Sequence, residues 1–216
     1  KGSVFDDALD DKEFEGNLIY LLRSASDFVK NNSKVRFYKD VEYRVDKPDY
    51  AERAVTEALV NALIHRDYIV SGSEVHIDMY DDRLEISSPG GMFDGKAVQE
   101  HTIADIGSMR RNPVIADLFH RMKFMERRGS GLKKIISETE KLPGYNESLK
   151  PIFYSDGSSF RVILKNVNYG TTKVSDKVSD KVSDKVSDKL NEKEKYFFNV
   201  LMTLAKQHEF VTTKVV

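Results

Sequence analysis

The stretch EALVNALIHRDY, residues 57–68, constrains this chain more than any other. At 100° per residue, Val55, Leu59, Ala62 and Leu63 mark an apolar face, while Glu57, Asn61 and His65 fall at i, i+4 and i+8 in one polar line. A helix that is apolar around most of its circumference belongs in an interior. A carboxylate and an amide sharing a line on such a helix need partners there. They either hydrogen-bond within the protein or face a ligand.

The 216 residues, 40% of them hydrophobic, suffice for one full domain and a small second one. Thirty-four basic residues nearly cancel 35 acidic ones, so overall charge argues neither for nor against nucleic acid. The absence of cysteine excludes disulfides and thiolate metal ligands and fits a reducing compartment, so a cytoplasmic location is expected. No apolar run approaches the roughly 18 residues of a membrane span, and no signal-peptide pattern opens the chain. Starting at Lys1 and stopping just after a helix-start signal, the sequence reads as a piece of a longer protein.

Residues 1–13 are an acidic lead-in. Phe14, Leu18, Leu21, Leu22, Ala25 and Phe28 predict an amphipathic helix over 13–30. Strands follow on either side of Lys39-Asp40, and Pro48 opens the helix that carries the polar line. Val75, Ile77 and Met79, then Leu84 and Ile86, predict a hairpin about Asp81-Asp82 that runs into SSPGG at 87–91. Residues 92–111 read as loop with a short helix. Asn112 as cap and Pro113 at the first position predict a helix to about Met122, and RRGSGLKKI at 127–135 leads into another over 131–141. A last strand pair turns at Asp156-Gly157. VSDK then occurs four times over 174–189, read as a solvated tether or, alternatively, a self-associating helix with a valine stripe. Phe197, Val200, Leu201 and Leu204 mark a further helix.

Three constellations carry chemistry. Glu57 can activate a water, and the Asn61 amide oxygen one turn on can ligate magnesium without adding charge. The plainer reading is a solvated Glu57 and a satisfied interior amide. In RRGSGLKKI, glycines at a helix entrance let backbone N–H groups approach an anion, with Arg127, Arg128, Lys133 and Lys134 close by; a tight turn before a basic helix is the alternative. Gly90 and Gly91 permit close approach of a flat ring or simply form a turn. His65-Arg66-Asp67 resembles the protein-kinase catalytic loop, but position 72 is Gly where that loop needs Asn, and no Gly-rich strand pair precedes it. No Walker A sequence is present, and the histidines lack metal-ligand spacing.

The order of the three sites is that of the Bergerat nucleotide fold shared by gyrase, MutL, heat-shock chaperones and histidine kinases. More closely, EALVNALIHRDY, DDRLEISSPGG, RNPVIADLF and ERRGSGL resemble the RecG-like C-terminal, or divergent ATPase, domain of bacterial helicase-related transcriptional regulators, over roughly residues 14–166. The resemblance implies Glu57 as the water-activating residue and Asn61 as the magnesium ligand. It places Gly129, Ser130 and Gly131 in the phosphate-contacting loop, and Gly90 and Gly91 beside the adenine pocket. ATP and magnesium are the implied cofactors. The sequence departs from the superfamily at Ser87-Ser88, where an adenine-reading Asp stands just before the glycines, and at Ile64, where a second acid often follows the Asn.

The expected fold is therefore α/β (α+β): a two-layer sandwich of a mixed β-sheet with helices 48–66, 112–122 and 131–141 on one face. Its domain spans 14–168, followed by a linker over 169–189 and the start of a winged helix-turn-helix over 190–216. The resemblance implies a nucleotide-binding module of a DNA-binding transcriptional regulator, with DNA held mostly by domains outside these residues. A weak magnesium-dependent ATPase is compatible with it, and helicase activity is not expected. The alternative is a non-catalytic scaffold or homodimerisation domain with a degenerate pocket.

Overall fold

The computed structural model describes residues 9–39, 43–107, 109–125 and 130–170. The VSDK repeats and the winged-domain segment, both read from sequence, lie outside them, as do Arg127, Arg128 and Gly129. The described fold lies in the unit Lys1–Tyr169.

Helix α1 (Leu18–Asn32) begins later than its apolar spacing suggested, because the Asn17 side chain accepts the Tyr20 N–H at 2.9 Å and fixes the first turn there. Strands β1 (Val35–Lys39) and β2 (Arg44–Pro48) form an antiparallel ribbon with Val35 opposite Pro48. Helix α2 spans Glu52–Ile64, so Pro48 ends a strand rather than opening the helix. The cause is Asp49, whose carboxylate accepts the Lys34 N–H at 3.0 Å and the Asn168 side-chain N–H at 2.9 Å, holding the chain extended before α2 can start. Nine of the 13 residues of α2 are buried, which makes it the central helix of the core.

The main sheet contains β3 (His76–Met79), β4 (Arg83–Pro89), β5 (Ile152–Ser155) and β6 (Ser159–Lys165) in the order β3-β4-β6-β5. Every described pairing is antiparallel, where a mixed sheet was expected. The reason is connectivity. Each end of the sheet is closed by a tight hairpin, and the excursion between β4 and β5 carries the helices α3 (Pro113–Arg121) and α4 (Gly131–Glu140) and returns β5 to the far edge. Alternation along β4 turns Leu84, Ile86 and Ser88 toward α2. Leu59, Ile64, Leu84, Ile86, Ile135, Leu164 and Phe119 form the innermost core. The α+β class stands as expected. Among the described residues, no helix is long and apolar enough to cross a membrane.

Candidate functional site

The polar line on α2 meets the start of α4. A Cβ built on Gly131 would stand 2.7 Å from Asn61 Nδ2, 2.8 Å from Glu57 Oε1 and 3.3 Å from Asn61 Oδ1. A side chain at this position would have to push the ends of the Asn61 and Glu57 side chains aside for α4 to come this close. Lys134 Nζ lies 3.3 Å from Glu57 Oε2, and one turn further Arg53 faces Glu138 at 3.9 Å. The contacts step down α2 as they step up α4, so the two helices run antiparallel with the entrance of α4 at the Asn61 level. Ser130 caps that entrance in position, and its carbonyl accepts the Lys134 N–H at 2.8 Å. Three of the sequence-derived candidates, Glu57, Asn61 and Gly131, are thus brought into contact, with Ser130 adjoining; Gly129 lies outside the described residues.

Those residues fit the group that the resemblance implies in two respects. The close approach at Gly131 puts a helix entrance, with its unsatisfied N–H groups, beside a carboxylate and an amide oxygen. Asn61 offers an amide oxygen to magnesium, an ion that completes its shell with phosphate oxygens and water, while the Glu57 carboxylate one turn away has Lys134 Nζ at 3.3 Å.

The second glycine pair is differently employed. Gly90 has φ +98°, in the left-handed region that favours glycine, and a Cβ there would stand 2.9 Å from Asp67 Cβ and 3.1 Å from Arg111 Cζ. A Cβ on Gly91 would stand 2.1 Å from the Asp156 carbonyl oxygen. Both glycines therefore let protein groups close on the end of β4. The preceding serines divide between faces: Ser87 Oγ accepts from Arg161 Nε at 3.1 Å, while buried Ser88 donates its hydroxyl to the Ala62 carbonyl of α2 at 2.8 Å.

His65-Arg66-Asp67, to which sequence reasoning attached no role, form a knot at the C-terminal end of α2. Asp67 accepts Arg111 Nη1 at 3.0 Å, its backbone N–H donates to the Pro89 carbonyl at 2.8 Å, and Arg111 Nη2 donates to the Gly91 carbonyl at 2.6 Å. Arg66 donates to the Ser73 carbonyl and lies over the Tyr68 ring, 4.9 Å from its centroid. Tyr68 in turn donates its hydroxyl to the Leu63 carbonyl at 2.8 Å. Asn112 is the clearest correction. Its side chain makes no cap bond to α3; it donates to the Ile64 and Arg66 carbonyls at 2.9 and 2.8 Å and so closes the end of α2. Burial, with Arg111 and Arg110 nearby, pushes the His65 pKa down to about 4, so His65 is neutral at physiological pH. An Arg pair just before Asn-Pro is the sequence signal that could have pointed to this knot, but nothing local pairs Arg111 with an acid 44 positions earlier.

Residues 72–164 match the family described as "Putative ATP-dependent DNA helicase recG C-terminal". The match takes in the β4 glycines and the start of α4, while Glu57 and Asn61 precede it. The crystal structure of the DIP2311 protein from Corynebacterium diphtheriae is similar over 69% of this chain, with a TM-score of 0.57 and 23% identity. At that identity the likeness shows the fold, and the aligned part spans 28% of that chain. Comparison with curated proteins returned no match.

Proposed function

We propose that the chain is the nucleotide-binding module of a DNA-binding transcriptional regulator, a reading supported by the match of residues 72–164 to the RecG C-terminal family. The observation that carries the reading is the meeting of Glu57, Asn61 and the Gly131 entrance of α4. Two elements far apart in sequence supply a carboxylate, an amide oxygen and a side-chain-free helix start to one place.

In this reading Asn61 faces the magnesium, Glu57 stands one turn away as the water-activating residue, and the Gly129-Ser130-Gly131 entrance faces the phosphates of ATP. Bound there, the metal would neutralise phosphate charge. The chain's own part is to orient the phosphates by backbone N–H groups and to present two oxygens from one face of a rigid, buried helix. DNA is bound mainly by domains beyond the described fold, and helicase chemistry is not part of the proposal. At a nucleotide concentration of 100 times Kd, linkage gives about 2.7 kcal/mol of added stability. Calorimetric titration and thermal melting with Mg-ATP and Mg-ADP test it; no heat and no melting shift up to millimolar nucleotide would remove the reading.

A second reading is favoured by the β4 end. Gly90 and Gly91 are closed on by Arg111 and the Asp156 carbonyl, and Ser88 is spent on α2. A domain whose adenine side is filled this way serves as a scaffold or homodimerisation unit. Sedimentation with and without the VSDK repeats separates the cases, since a monomer in both forms argues against dimerisation.

A further inference from the structure

His65 is the third member of the polar line on α2, and neither the core nor the meeting of Glu57, Asn61 and Gly131 uses its ring. Its backbone N–H still donates to the Asn61 carbonyl at 3.0 Å, so the helical phase holds to the end of α2. Four residues on, the His65 side chain leaves the helix about 40° around from that of Asn61 and about 6 Å further along the axis. α4 meets this line at Glu57 and Asn61 through Gly131 and from there runs back toward Arg53. His65 therefore lies past the entrance of α4, on the side toward which the first N–H groups of that helix point.

The segment Arg110–Asn112 packs at the same place. Asn112 Nδ2 donates to the carbonyls of Ile64 and Arg66, the residues on either side of His65, at 2.9 and 2.8 Å. That segment brings two guanidiniums near the ring, and the charges that act on His65 are those of Arg111 and Arg110. Arg111 is shared with Asp67 at 3.0 Å. The imidazole is partly buried, and among the described residues its ring nitrogens have no hydrogen-bond partner. A polar group withdrawn from water with nothing to bond is costly unless a ligand completes it. Held uncharged by its surroundings, the imidazole still donates one N–H. An N–H donor with positive neighbours suits an anionic oxygen.

We infer that His65 hydrogen-bonds the ligand's phosphate where the polar line passes the α4 entrance, so that the site takes a diphosphate with or without a nucleoside attached. The inference rests on the nucleotide-binding reading and adds to it the part of the ligand that is read. Asn61 keeps the metal and Glu57 the water, while His65 holds a phosphate oxygen one turn further along α2.

The test is calorimetric titration of the full chain with Mg-pyrophosphate and with Mg-ADP, in wild type, His65→Phe and His65→Gln. Phe keeps a flat ring in the same space and loses both ring nitrogens, whereas Gln keeps an N–H donor. His65→Phe should bind both ligands at least about tenfold more weakly, the loss expected for one hydrogen bond to a charged group. His65→Gln should bind both within about threefold of wild type, because its donor replaces the one lost. The wild-type protein supplies a readout that needs no variant: the carbon–proton resonance of the His65 ring should shift saturably with Mg-pyrophosphate. Unchanged affinity in His65→Phe, a loss confined to Mg-ADP, binding of Mg-ADP without Mg-pyrophosphate, or a ring resonance that does not move would each overturn the inference and leave the nucleotide-binding reading standing. Failure of the wild-type chain to bind either ligand would instead remove that reading, and this inference with it.

Discussion

Alanine at Gly131 and at Gly91 should produce opposite phenotypes. At Gly131 the added Cβ would stand 2.7 and 2.8 Å from Asn61 Nδ2 and Glu57 Oε1. Both atoms are the ends of side chains, which can rotate away. Displacing them costs about 1 kcal/mol each in off-rotamer strain, and Ala in place of Gly at a helix returns up to about 1 kcal/mol, so the net loss of stability is about 1 kcal/mol. At Gly91 the Cβ would stand 2.1 Å from the Asp156 carbonyl oxygen and 3.2 Å from its carbon, both backbone atoms. That turn cannot yield cheaply. The Asp156 carboxylate accepts both N–H groups of Ser158 and Ser159 at 2.8 Å, and Gly90 donates to the Ser158 carbonyl at 2.7 Å. Overpacking against such a frame costs about 3 kcal/mol, or about 10 °C in Tm for a domain of this size. Thermal melting and nucleotide titration on both variants check the pair of outcomes. Gly131→Ala should melt within about 3 °C of wild type yet lose nucleotide binding at least about tenfold, because it moves the two site side chains. If Gly131→Ala melted as low as Gly91→Ala, or bound nucleotide like wild type, the assignment of Gly131 to the site would be refuted.

Three further outcomes follow from the knot at the end of α2. The His65 pKa, depressed to about 4 in the fold against 6.5 in an unfolded chain, means that the unfolded state binds more protons between those values. Its contribution is therefore complete above pH 6.5 and declines as pH falls toward 4, by about 3 kcal/mol over that window; His65→Gln should lose less Tm than wild type between pH 7 and 5, and equal losses would contradict this. Arg111→Met removes the bonds to Asp67 and the Gly91 carbonyl and should cost about 2 kcal/mol while raising the His65 pKa, read by NMR titration; an unmoved His65 would deny the coupling. Ser88→Asp, which puts an acid at the departure from the superfamily pattern, would place a carboxylate beside the Ala62 carbonyl in a buried position. It should destabilise by about 3 kcal/mol rather than create an adenine reader, and an unchanged melting temperature would show that Ser88 does not face α2.

Much of the fold was legible because its signals are local. The hairpin at Asp81-Asp82, the strand pair about Asp156-Gly157 and the helices from Pro113 and Gly131 follow from period, turn residues and glycine positions. The start of α2 was misplaced because its limit is set at long range, by Asp49 bonding to Lys34 and Asn168. Asn112 looked like a cap for the helix after it and instead closes the helix before it, since two α2-end carbonyls need its donor more than α3 does. At the site, the polar line on α2 was readable from spacing, and its partner was not. That Gly131 and Lys134 face Glu57 depends on α4 lying antiparallel to α2, which the spacing within either helix does not state. The expected mixture of strand directions came from the family likeness, and the described connections yield antiparallel pairs.

The central claim is that the seam between α2 and the entrance of α4 receives nucleotide phosphates. Titration of isotope-labelled protein with Mg-ADP, followed by amide NMR, addresses it directly. The account predicts shifts concentrated at the Ser130, Gly131 and Lys134 backbone amides and at the Asn61 side-chain amide, saturating with one nucleotide and lost in Asn61→Ala. Saturable shifts located elsewhere, or none at millimolar nucleotide, would contradict it.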